Sequence, residues 1–129
     1  MTELLIIPSL IMGAILGFLE IYFVHQDEPG VWFKHALHAL PTMFIFVFIG
    51  MNIHWAASLA GINLKETFTI DLIVRVVLGL IATIKIASAA SLAGKLGVGF
   101  RISHALILGA LVAASPYIWD LLSRFIPSL

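Results

Sequence analysis

Cysteine is missing from this 129-residue chain. Its absence excludes disulfides, iron–sulfur clusters and thiolate zinc sites. Charge is also scarce. Only 11% of residues are Asp, Glu, Lys or Arg, where folded soluble chains hold about a quarter. The seven basic and seven acidic residues cancel. No basic excess is left to hold nucleic acid, and no single-sign block marks a charged tail. Catalytic signatures are missing as well. The Gly94–Gly99 stretch lacks the phosphate-binding pattern, and neither HExxH nor a serine elbow occurs. No internal repeat argues for inverted halves.

What is present is apolar. Residues of hydrophobic type make up 61% of the chain, against roughly 45–50% in ordinary globular proteins. A short chain of that composition cannot coat itself with polar surface, so lipid is the expected solvent. Four spans emerge at about 4–24, 32–59, 68–92 and 103–125. Each reaches the roughly 20 residues that a hydrocarbon core demands. Polar or glycine-rich segments separate them: His25–Gly30, Gly61–Glu66 and Gly94–Arg101. The apolar runs are continuous rather than alternating, which argues against a β-barrel. Met-Thr-Glu precedes the first run where a signal peptide would carry positive charge, so that run is expected to be a retained helix.

The expected fold is therefore one all-α integral membrane domain over residues 1–129, an up-down-up-down bundle of about four helices. Short loops force neighbours to run antiparallel. The first and third loops define side A, with Lys34, Lys95 and Arg101; both termini and the middle loop define side B, with Lys65 and Arg124. The basic residues lean toward a cytoplasmic side A. Tyr22, Trp32 and Phe100 fall near side A and Trp55, Trp119 and Phe125 near side B, as interfacial anchors do.

Small residues mark packing faces. Ser9, Gly13 and Gly17 recur at spacings of four, and Gly13–Gly17 is a GxxxG; Ala105, Gly109 and Ala113 repeat the device. Close packing inside the bundle and dimer formation are both open readings. Pro41 and Pro116 lie inside spans and free the carbonyls of Leu37 and Val112, which predicts kinks.

A charge at mid-bilayer costs about 2.5–3.5 kcal/mol on insertion scales, so it normally faces protein or water. At 100° per residue, Glu20 shares the Gly13–Gly17 stripe. Asp71, Arg75 and Lys85 share a stripe on the third span; Asp71 and Arg75 are spaced for a helical ion pair. His35, His38 and Asn52 share a face, as do Asp120 and Arg124. Adding depth sorts these residues into two layers. Glu20, His35, His38, Lys85 and His104 fall near side A; His54, Asp71, Arg75, Asp120 and Arg124 fall near side B.

Intramembrane ionisable groups are functional candidates. The expectation is a small transporter or channel, or a subunit of one, that moves a small ion or proton along these residues. Glu20 and Lys85 are the first candidates, with His38 third. A structural or assembly subunit of a larger membrane complex is the alternative. In a third reading, His35 and His38 with His104 or Glu20 ligate a divalent metal, or His35 or His38 pairs with His104 as the axial ligands of a haem. No cofactor is otherwise expected. The partners expected are the bilayer and either further copies of the chain or another membrane protein.

Overall fold

The structure, a computed structural model, describes residues 3–27, 30, 32–65, 67–93 and 102–126, without the side chains of His35 and residues 88–93. The expected glycine-rich loop with Lys95, Phe100 and Arg101 lies outside the described residues. Among the described residues five helices form: α1 Ile6–Asp27, α2 Trp32–Met51, α3 Ile53–Leu59, α4 Phe68–Ala93 and α5 Ile102–Ser123. Among the described residues there is no strand. Three of the helices (α1, α2 and α5) are long and apolar enough to cross a membrane. The fourth long helix, α4, carries Asp71, Arg75 and Lys85.

Local sequence explains the boundaries. Pro8 sits in the first turn of α1, where a missing N–H breaks no helical bond. Thr67 caps α4: its Oγ1 accepts from the Ile70 N–H at 3.4 Å. Pro116 leaves the Val112 carbonyl without its helical donor, and the buried Ser115 hydroxyl supplies one at 2.8 Å. The helix therefore continues through the proline.

The second span is not one helix, as the sequence had suggested. It breaks at Asn52, whose φ of −122° and ψ of 42° take the chain off the helical path. Asn52 Nδ2 turns back to the Phe48 carbonyl at 3.0 Å, an alternative the side chain offers to continued helix. The short α3 that follows ends at Gly61, with φ +76°. There Ile62 N–H bonds Ala57 O at 2.9 Å and Gly61 N–H bonds Ser58 O at 3.1 Å, a left-handed C-terminal cap that favours glycine.

The long helices pack as two hairpins. α1 packs on α2 and α4 on α5; α2 also touches α4 and α5, and α1 touches α5. The GxxxG face lies inside the α1–α2 hairpin. A Cβ on Gly17 would stand 2.8 Å from Leu40 Cδ2, and one on Gly13 would enter the Phe44 ring. The close approach in the other hairpin pairs Gly109 with Gly79. A Cβ on Gly79 would lie 2.7 Å from the Gly109 carbonyl oxygen and 3.0 Å from Ala113 Cβ.

Met12, Leu16, Met43, Val47, Leu78, Ala82, Leu108 and Val112 fill the centre. The outward faces are equally apolar, with Phe18, Ile45, Ile84 and Leu106 exposed. Helices that are apolar on every side suit a non-aqueous surround.

Candidate functional site

Polar side chains meet most densely where α2 breaks. A helix end leaves carbonyls without helical donors. Arg75 on α4 supplies one for Gly50: its Nη1 donates to that carbonyl. The Arg75 Nε donates to Asp71 Oδ2 at 2.8 Å, one turn away. Asp71 Oδ2 also accepts from the Tyr117 hydroxyl of α5 at 2.8 Å. Asp71 Oδ1 lies 3.5 Å from His54 Nε2 on α3. The Tyr117 ring completes the cluster, with its centroid 5.7 Å from the Arg75 guanidinium carbon. Three helices thus converge on one acid–base pair. A guanidinium has five N–H donors in a planar fork. That geometry lets a single side chain hold a carboxylate and a backbone carbonyl together.

The N-terminal segment closes over the same end. Leu5 N–H donates to Asn52 Oδ1 at 2.7 Å, and Asn52 Nδ2 lies 3.3 Å from Ser9 Oγ. The Ser9 hydroxyl itself donates to the Leu5 carbonyl. Asn52 therefore ties α1 to the break in α2. A pocket of about 100 Å³ lies beside it, lined by Glu3, Leu5, Asn52, His54, Trp55 and Arg75 among others.

Of the residues expected in this layer, His54, Asp71 and Arg75 come together. Asp120 and Arg124 do not join them. They pair with each other at 3.1 Å, with side chains 73% and 70% exposed. One turn apart at the end of α5, they reach outward from the bundle. Nothing in the sequence pattern marks Tyr117 or Gly50 as part of this cluster. Tyr117 stands one residue after Pro116 in an apolar run and was legible only as an amphipathic aromatic.

In the opposite layer, Glu20 lies inside the bundle and Lys85 and His38 lie at its surface. Glu20 is buried at 2% exposure, and its Oε2 has no hydrogen-bond partner among the described residues. Lys85 is exposed. It stands on α4, and among the described residues α1 and α4 make no substantial contact. The buried stripe of α4 runs through Arg75, Leu78, Ala82 and Ile86, which leaves Lys85 to one side. His38 is exposed as well, and the side chain of His35 lies outside the described residues. His104 instead meets Asp27, a residue expected in a turn that forms the last position of α1. Their Nδ1 and Oδ2 are 2.6 Å apart, and the imidazole stacks on Phe23 at 4.1 Å.

The chain matches no family model, no curated protein and no solved structure.

The packing residues have internal partners. Gly13 and Gly17 face α2, while Gly109 and Ala113 face Gly79 of α4. Pro41 lies on the exposed side of α2, beside exposed Leu37. Among the described residues, no group of three His, Asp or Glu side chains is arranged to hold a metal ion.

Proposed function

We propose that the chain crosses a membrane four times and is a small transport protein, or a subunit of one, that handles a small ion at the Asp71–Arg75 cluster. The observation that carries this reading is the broken helix. α2 stops at Asn52 against a buried arginine that holds the freed Gly50 carbonyl. Discontinuous helices in membrane transporters place ion and substrate sites at such breaks, where irregular backbone is tolerated beside a cavity or buried in protein. A cluster serving packing alone needs no adjoining pocket, and here one opens beside Arg75.

The centre of the bundle is filled by apolar side chains. Passage through it therefore requires α2 and α3 to move relative to each other, and Asn52 is the joint between them. The fourth crossing is assigned to α4, because its charges at Asp71 and Arg75 satisfy each other. Ion flux in proteoliposomes tests the reading, with Asp71→Asn as the variant that disarms the cluster.

One observation favours the alternative of an assembly subunit. An apolar groove of about 310 Å³ runs along the outside of α4 and α5, floored by Gly79, Gly109 and Ala113. Small residues let another membrane helix approach closely. Co-purification of a second membrane protein in mild detergent, without flux, would select that reading.

A further inference from the structure

The pocket beside the break offers hydrogen-bond donors and few acceptors. Apart from the exposed Glu3 carboxylate, the side-chain acceptors near its wall are already engaged. Asn52 Oδ1 accepts from Leu5 N–H, the Gly50 carbonyl from Arg75, and Asp71 Oδ2 from both Arg75 and Tyr117. Asp71 Oδ1 faces His54. The donors are not exhausted. Arg75 engages Asp71 through Nε and Gly50 through one N–H of Nη1. Tyr117 also stands against the guanidinium. Five donors are available in the fork. Even with one directed to Tyr117, two remain on a side chain that is more than nine-tenths buried and lines the pocket.

From this we infer that the pocket binds a small oxyanion, of the carboxylate, nitrate or phosphate type, on the free edge of the Arg75 guanidinium. The inference deepens the transport reading by naming its ion class, and it rests on that reading only for its physiological meaning. Paired oxygens match the planar fork, as carboxylate and phosphate commonly do. The volume of about 100 Å³ accommodates a few heavy atoms and excludes a nucleotide or sugar. Charge sets the balance. Arg75 is neutralised by Asp71, so the arriving anion is held by directed bonds. Glu3 is the opposing charge in the lining, and it is exposed.

Trp55 lines the same pocket and reports on it. With Trp32 and Trp119 replaced by Phe, its fluorescence is titrated with sodium nitrate and sodium acetate at constant ionic strength. The titration is run in phospholipid-free maltoside detergent and in phosphatidylcholine nanodiscs. The expected result is a saturable response to the anions that weakens about tenfold or more in Arg75→Gln. Glu3→Gln changes an exposed residue with little risk to folding, and it is expected to tighten binding about two- to threefold. A response in both media assigns the site to a free anion. A response confined to detergent assigns it to a lipid phosphate already seated in the nanodisc. No saturable response in either medium, or one unaltered by both substitutions, overturns the inference. Saturable binding without flux leaves the inference standing and removes the transport reading. Flux of a cation with no anion response removes the inference and keeps that reading.

Discussion

The guanidinium of Arg75 on α4 donates to the carbonyl of Gly50 on α2, two residues before the chain turns off its helical path at Asn52. The same side chain holds Asp71. Removing it leaves the Gly50 carbonyl without this donor and the Asp71 carboxylate without its paired cation, held only by Tyr117 and His54. Arg75→Met is therefore expected to cost about 3 kcal/mol, since breaking a largely buried pair strands the remaining charge. Arg75→Met combined with Asp71→Leu is expected to recover part of the loss. Denaturant unfolding in mixed micelles checks this. Equal stability of the single variant and the wild type would show that the contact contributes nothing.

The approach of Gly79 to Gly109 is backbone against backbone. A methyl on Gly79 meets a carbonyl oxygen that cannot rotate away. At Gly13 the methyl meets a Phe44 ring, which can move. Gly79→Ala should then destabilise by about 1–3 kcal/mol, the range for overpacking, and Gly13→Ala by less. Thermal unfolding of both variants side by side ranks them. The reverse ranking would mean that α1 and α2 form the tighter hairpin.

Glu20 presents a different case. Its Oε2 is buried with no hydrogen-bond partner among the described residues. Leaving such an atom unsatisfied costs about 1–3 kcal/mol. Glu20→Met keeps the volume and removes the polar atoms, so the melting temperature should rise. A fall in melting temperature would indicate that Glu20 holds a partner from outside the chain.

Asn52 makes its bonds to Leu5, Ser9 and Phe48 from one side chain. Asn52→Ala removes the link between the N-terminal segment and the break. Hydrogen exchange at the Leu5 amide should accelerate well beyond that of the α5 amides. Unchanged protection at Leu5 would show that other contacts hold the segment.

The sequence and the structure agree where the physics is local. The four-residue spacing of Asp71 and Arg75 specifies a helical pair whatever surrounds it. The small-residue stripes predict close approach, and Pro116 predicts a carbonyl in need of a donor, which Ser115 provides. Disagreement enters where partners are chosen by the arrangement of helices. Glu20 and Lys85 can be placed at similar depth from residue counts, but depth does not say which helices are neighbours. Among the described residues α1 and α4 make no substantial contact, and Lys85 is exposed while Glu20 is buried. The break at Asn52 was hidden because one polar residue in an apolar run leaves hydropathy almost unchanged. Its three side-chain bonds exist only once α1 is in place. The polar neighbours of Asp27 predict a turn there, yet α1 extends to include it where His104 provides a contact.

The proposed role of the Asp71–Arg75 cluster is ion handling. Flux across proteoliposomes tests it most directly, measured with nitrate or acetate on one side for the wild type, Asp71→Asn and Arg75→Gln. Saturable flux is expected in the wild type and loss of most of it in both variants, with Asp120→Asn at the exposed pair retaining it. Wild-type flux no greater than that of empty liposomes, or flux unchanged in both cluster variants, would contradict it.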